Sequence, residues 1–222
     1  MTQLPRIQAV VFDLDGLMLN TEDIFELAGQ QLMARRGMEM TDALRRGMLG
    51  RRPIEAFTVF REMTGFPDTI EELMMETKSL FEAIAVHHLG PMPGLISLLQ
   101  LIDAKQLPRA VATSSPRTYM EALLGRLQLL SGFRFTLTAE DVTHGKPNPE
   151  IYLKAAEKLS VNPENMLVLE DSETGTRAAA EAGAFVVSVP NRHTDWGDFT
   201  RSSMRVTSLE DPALRRLIQD QS

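Results

Sequence analysis

The chain reads as an α/β protein, a parallel sheet core interrupted by an inserted helical domain, and three observations carry that reading. Short apolar runs alternate with segments of helical period. The runs end in polar or acidic residues, and far more residues separate the first run from the second than one crossover requires. The first run, Gln8 to Phe12, is apolar from Ala9 onward, as a strand buried on both faces should be. It stops at Asp13-Leu14-Asp15-Gly16, two carboxylates one residue apart and then a glycine. Residues 21–89 follow, rich in Leu, Met, Glu and Arg at helical spacing, and predict helices from Thr21 to Arg36, Thr41 to Met48, Pro53 to Thr64 and Thr69 to Val86. Gly90-Pro91-Met92-Pro93-Gly94 reads as the return hinge. Beyond it, strands are expected from Arg109 to Ala112, Met166 to Leu169 and Ala184 to Val189, with a further short one near Thr136 to Ala139. Helices are expected from Leu95 to Lys105, Arg117 to Leu130, Glu150 to Leu159 and Glu173 to Ala182, the last closed by Gly183. The expected organisation is a Rossmann-like core made of residues 1–20 and 90–222, with a helical cap domain of residues 21–89.

Composition narrows the function. With 222 residues, 43% of them hydrophobic, the chain can bury a substantial core. Its 23 basic against 30 acidic residues, net −7, give no footprint for nucleic acid or an anionic membrane surface, so an anionic ligand must be held locally. No run approaches the length of a membrane span, and the first residues lack a secretory pattern, so a cytoplasmic monomer is the expectation. Cysteine is absent, which removes disulfides and thiolate chemistry.

Ligands of parallel sheets collect beyond the carboxyl ends of the strands, where Asp13 and Asp15 stand. Period-two geometry sends both side chains to one side, so one can attack while the other manages protons around a divalent cation. A solvated turn or part of a calcium loop fits the same four residues. The second strand ends in Thr113-Ser114-Ser115-Pro116, where N–H groups at a helix start and the hydroxyl of Thr113 or Ser114 can hold phosphate oxygens, or simply cap the helix. Gly145-Lys146-Pro147-Asn148-Pro149 pins a lysine in a short rigid loop, at low ordering cost for engaging a phosphate. The third long strand ends in Glu170-Asp171-Ser172, a second carboxylate pair whose hard oxygens suit Mg²⁺ better than zinc. Independent turns would rarely align this way.

Taken in order, Asp13-Leu14-Asp15-Gly16, Thr113-Ser114-Ser115, Gly145-Lys146-Pro147 and Glu170-Asp171-Ser172 with Gly175 resemble the motifs of the haloacid dehalogenase superfamily. The match is to its phosphatase and phosphomutase branch with a helical cap. The resemblance implies that Asp13 is a nucleophile forming an aspartyl-phosphate and Asp15 the general acid and base. It further implies that Thr113 and Lys146 hold the transferring phosphoryl group. Mg²⁺ would be bound by Asp13, Asp171 and the Asp15 backbone carbonyl, with Glu170 as a ligand or supporting partner. The function this implies is Mg²⁺-dependent hydrolysis of a small phosphorylated metabolite, a sugar phosphate or nucleoside-like phosphate.

Some positions depart from the branch. Asn20 stands where an aspartate is common, so it is assigned no essential charge. Phe25 and Pro116 replace a histidine and a lysine of the β-phosphoglucomutases, which ranks a hydrolase above a mutase. A non-catalytic phosphometabolite- or partner-binding module is a third reading, weighed against by intact Asp13, Asp15, Lys146 and Asp171. Glu22, Phe25 and Arg51 are the candidates for the specificity surface. His87 and His88 read as solvated linker histidines, and His193-Thr194-Asp195-Trp196 as part of a surface loop.

Overall fold

The central strand is the one the sequence marks first. In the computed structural model, which describes residues 6–48 and 53–221, the strands are Ala9–Phe12 (β1), Arg109–Ala112 (β2), Thr136–Leu137 (β3), Met166–Glu170 (β4), Phe185–Ser188 (β5) and Met204–Arg205 (β6). They form one parallel sheet in the order β3-β2-β1-β4-β5-β6. The chain builds outward from β1 in one direction and then, from β4, in the other. The gap between β1 and β4 is therefore the topological switch point, where an open α/β sheet leaves a crevice at its carboxyl edge.

The helices are Thr21–Ala34 (α1), Asp42–Met48 (α2), Pro53–Thr64 (α3), Ile70–His88 (α4), Leu95–Ala104 (α5), Arg117–Arg126 (α6), Glu150–Leu159 (α7), Glu173–Glu181 (α8) and Pro212–Gln219 (α9). Two compact units divide the chain, one of Met1–Asn20 with Gly90–Ser222 and one of Thr21–Leu89.

In the sheet unit, Ala9 and Val11 of β1 join Ala110, Ala112, Met166 and Val168 in one apolar cluster with Ile151, Tyr152 and Ala155 of α7 and Ala178 and Ala179 of α8. Alternation sends Val10 and Phe12, both without exposed surface, to the opposite face. There the Phe12 ring meets Phe133 edge-on, 6.1 Å between centroids. Each fully buried residue of this size contributes about 1.5–3 kcal/mol of transfer free energy. The alanines of α8 have the complementary use, letting the helix lie close to the sheet.

In the helical unit, Ile24, Ala28 and Leu32 recur at helical spacing along α1 and are buried, as are Phe60 of α3 and Leu73, Leu80 and Phe81 of α4. Helix α4 starts with a reciprocal cap: the Thr69 hydroxyl accepts from the Glu72 N–H, and the Glu72 carboxylate accepts from the Thr69 N–H. Arg36 reaches Asp68 at 2.6 Å and Glu76 at 2.7 Å, and its guanidinium lies 5.2 Å from the centre of the Phe66 ring.

Several boundaries differ from the sequence reading. Helix α4 runs two residues further, so the exposed His87 and His88 form its last turn rather than a linker. Cations are favoured there by the helix dipole. Helix α6 starts at Arg117 as expected, with Pro116 as its cap, but stops at Arg126, ahead of Gln128, whose φ of 57° ends helical geometry. Strand β4 includes Glu170. His193 is buried, at 5% exposure, not part of an open surface loop. Arg51 lies outside the described residues. Among those described, no helix is long and apolar enough to cross a membrane.

Candidate active site

Register puts the acidic motifs side by side. Phe12 pairs with Leu169 across β1 and β4, and the Asp13 N–H donates to the Leu169 carbonyl at 3.0 Å, so Asp13 emerges next to Glu170 and Asp171. On the other flank Phe12 pairs with Val111, which brings the end of β2 and Thr113 to the same edge. Beyond Asp13 the chain folds back: Gly16 N–H donates to Leu19 O, and the Met18 and Leu19 N–H groups both donate to Leu14 O. Gly16 has φ of 77°, and a β-carbon there would meet Asp171 Oδ2 at 2.5 Å and Asn191 Nδ2 at 2.9 Å. Asn20 is used structurally, accepting from the Gly90 N–H at 2.8 Å while its own N–H donates to Gly90 O.

Lys146 organises the centre. Its ammonium donates to Asp13 Oδ1 at 2.6 Å, Glu170 Oε1 at 2.6 Å and the Ala112 carbonyl at 3.0 Å, and it lies 5.1 Å from the centre of the Tyr152 ring. The loop that delivers it contains a cis Lys146–Pro147 bond and is braced by Glu150, which accepts from the N–H groups of Thr143 and His144. Glu170 has no exposed surface. Besides Lys146 it accepts from the Tyr152 hydroxyl at 2.5 Å and the Ser172 hydroxyl at 3.0 Å.

Three buried carboxylates, Asp13, Glu170 and Asp171, bring one oxygen each within 4.8 Å of one another. Lys146 supplies one positive charge against their three negative ones. The imbalance shows in Asp13, whose carboxyl is pushed up to about 8, by burial first and by Glu170 and Asp15 further, against the opposing pull of Lys146. Lys146 itself is held above its ordinary value, because Asp13 and Glu170 outweigh the burial that would lower it. Burial, then Glu170, pushes the Tyr152 phenol up, keeping it a donor. A hard divalent cation fits this donor set: all-oxygen, buried and short of positive charge.

Asp15 is held apart from that cluster. Its Oδ2 accepts from the Ser115 hydroxyl at 2.6 Å, with Thr113 Oγ1 at 3.5 Å, and its Oδ1 from the Tyr119 hydroxyl at 3.0 Å. Thr113 is buried and its hydroxyl also accepts from the Ser115 N–H, whereas Ser114 is exposed. Sequence reasoning missed Ser115 and Tyr119 as partners of Asp15, Tyr152 as the partner of Glu170, and Asn191 beside Asp171. Tyr119 and Tyr152 are each the third residue of a helix that follows a motif turn, the one signal available in the sequence. The structure brings Asp13, Asp15, Thr113, Lys146, Glu170 and Asp171 to one sheet edge. Glu22 and Phe25 belong to α1 of the helical unit, where the Phe25 ring packs on Phe81 at 4.4 Å.

The strand order, the acidic cluster at the switch point and the buried lysine define a class: an α/β enzyme built to act on a compact anion. Comparison with known proteins agrees. The model of the haloacid dehalogenase-like hydrolases matches residues 10–189. A phosphorylated carbohydrates phosphatase of Thermotoga maritima is 32% identical over 80% of this chain and 82% of its own. For (DL)-glycerol-3-phosphatase 2 of Arabidopsis thaliana the figures are 31%, 92% and 88%. Among solved structures, a Thermotoga maritima protein provisionally described as a β-phosphoglucomutase superposes with a TM-score of 0.82 at 28% identity, over 96% of this chain and all of its own. CbbY of Rhodobacter sphaeroides, crystallised with phosphate, gives 0.77 at 25%, over 91% and 95%. The chain belongs to the haloacid dehalogenase-like hydrolase family, and it is a phosphatase of that family.

Proposed function

We propose that this phosphatase hydrolyses a small phosphomonoester, a sugar phosphate or a similar polyol phosphate, with Mg²⁺ and through a phosphorylated Asp13. The observation that carries the reading is the Lys146 ammonium bonded at once to Asp13 and Glu170, with Asp171 in the same cluster. The names of the relatives, which act on phosphorylated carbohydrates and glycerol 3-phosphate, support the substrate class.

Phosphoryl transfer puts charge on the equatorial oxygens, so the protein's task is alignment and neutralisation. An Asp13 carboxylate oxygen attacks phosphorus, the bond to the substrate alcohol breaks, and Asp15 gives that alcohol its proton. Water then attacks the phosphorus on Asp13, Asp15 takes the water's proton, and inorganic phosphate leaves with the carboxylate restored. Lys146 and the N–H groups after β2, with Thr113 and Ser114, meet the phosphoryl oxygens. Asp13 and Asp171 would hold Mg²⁺ with the Asp15 carbonyl, and the cation would supply the charge that keeps Asp13 ionised and neutralises the phosphoryl group. Glu170 belongs beside them, although its oxygens already serve Lys146, Tyr152 and Ser172. Residues 21–89 would act as the cap that selects the substrate, through Glu22, Phe25 and Arg51.

The test is phosphate release from a panel of sugar, polyol and nucleoside monophosphates, with Mg²⁺ and with chelator. Release that needs Mg²⁺ and favours sugar or polyol phosphates is expected. The panel includes β-glucose 1-phosphate: accumulation of glucose 6-phosphate with little free phosphate would reverse the ranking of hydrolase over mutase.

A further inference from the structure

We propose that Asn191 is a positioning residue that orients the Asp171 carboxylate for the divalent cation. The inference rests on the reading of Asp13 and Asp171 as metal ligands and assigns a role to a residue outside the motifs. Asn191 lies three residues beyond β5, in a loop brought alongside Asp171 because the Val189 N–H continues the sheet by donating to the Glu170 carbonyl at 2.7 Å. Its side-chain amide is fully engaged. Nδ2 donates to Asp171 Oδ2 at 2.9 Å and to the Gly16 carbonyl at 3.1 Å, and Oδ1 accepts from the His193 N–H at 2.7 Å.

That last bond fixes which end of the amide is the donor. The backbone around it is fixed too: the Asn191 N–H donates to Thr194 Oγ1 at 3.1 Å, and its carbonyl accepts from the Thr194 and Asp195 N–H groups at 3.0 and 2.9 Å. Thr194 Oγ1 also stands 3.5 Å from Asp171 Oδ2. Two donors therefore converge on Oδ2 of Asp171 and fix the carboxylate that shares the acidic cluster with Asp13 and Glu170. The same amide ties Asp171 to Gly16, three residues beyond Asp13, so the segment carrying the nucleophile and the end of β4 are stapled through a single side chain. A group that freezes a ligand's rotamer in this way raises metal affinity by removing the entropy of ordering it and by choosing which oxygen it presents; partners of this kind are worth about 10- to 100-fold in affinity or activity.

The experiment measures Mg²⁺ binding to the full chain by isothermal titration calorimetry, and Mn²⁺ binding by electron paramagnetic resonance, with no substrate present. Asn191→Leu keeps the approximate volume and removes both donors; its Kd for each metal should rise about 10- to 100-fold. Thr194→Val should weaken binding in the same direction by less, and Thr194→Ser, which retains the hydroxyl, should bind as the wild type does. Circular dichroism and the metal-free melting temperature report folding. A purely structural role would lower that temperature and leave the Kd unmoved. A folded Asn191→Leu protein with unchanged Kd overturns the inference; if that variant does not fold, equal Kd values for Thr194→Val and Thr194→Ser overturn it. Wild-type protein that binds neither metal would instead remove the metal reading itself, and this inference with it.

Discussion

Gly175 and Glu170 share space that only a glycine leaves available: a β-carbon on Gly175 would overlap the Glu170 carboxylate. The carboxylate has nowhere to go, being held by Lys146, Tyr152 and Ser172 with no exposed surface. Gly175→Ala must therefore push Glu170 off Lys146 or lift α8 from the sheet. The expected cost is about 1–3 kcal/mol of stability, as for other overpacked sites. A drop in turnover should accompany it, because the ammonium loses one of its two carboxylate anchors. Urea denaturation and initial rates check this. A variant as stable and active as wild type would show that α8 yields more readily than its close packing implies.

Glu150 sets an acid-side limit on the lysine loop. Lys154, then the N–H groups of Thr143 and His144, hold its carboxyl down to about 2, below the ordinary 4.5. A carboxylate whose folded value is depressed stabilises the native state above its unfolded value and loses that contribution as the pH falls through the interval between the two. Glu150→Gln removes the titration, so its denaturation midpoint should fall less steeply with pH between 4.5 and about 2 than that of the wild type. Parallel slopes would mean that the loop does not depend on this charge.

Where chemistry is carried by short contiguous motifs, the sequence was legible. The apolar run into Asp13, the hydroxyl turn after β2 and the lysine between Gly145 and Pro147 each announce a strand end or a rigid loop by local rules. The inserted helices were legible for the same reason, their apolar positions recurring at helical spacing. Residues acting across the sheet were not. Asn191 follows a strand like any loop asparagine, and its role exists only because β5 lies beside β4. Tyr152 reads as a core aromatic on α7 until Glu170 is placed beneath its hydroxyl. Strand β6 is two residues long and carries no usable pattern, whereas α9 was readable in principle: Asp211 caps it, Pro212 opens it, and Leu214, Leu217 and Ile218 are buried at helical spacing.

Asp13→Asn should abolish turnover and leave the fold intact. The amide oxygen can still accept from Lys146, but the group has no anionic oxygen to attack phosphorus. A fall of at least about 10³-fold in kcat is expected, as for the loss of other nucleophiles. Near-wild-type turnover with a normal melting transition would remove Asp13 as the nucleophile. Asp171→Asn, by contrast, should act through the metal, raising the Mg²⁺ concentration needed for half-maximal rate, while excess chelator stops the wild-type enzyme. Activity indifferent to Mg²⁺ in both proteins would refute the assignment.

Asp15→Asn separates the two halves of the reaction. The carboxylate, bonded to Ser115 and Tyr119, is cast as acid when the alcohol leaves and as base when water attacks. With a sugar phosphate the departing alkoxide is strongly basic and needs a proton, so both steps should slow by about 10²–10⁴-fold and little phosphoenzyme should build up. With p-nitrophenyl phosphate the phenolate leaves unaided. Asp13 should then still be phosphorylated, and only the hydrolysis of the acyl phosphate should stall for want of a base. The expected record is a burst of nitrophenolate equal to the enzyme present, a slow steady state, and a single added phosphoryl group in the mass spectrum of acid-quenched protein, located on Asp13. Wild-type enzyme under the same conditions should show neither burst nor stable adduct. Loss of the burst along with the steady state would mean that Asp15 is needed for attack itself, and would move the proton-transfer role to another group at this sheet edge.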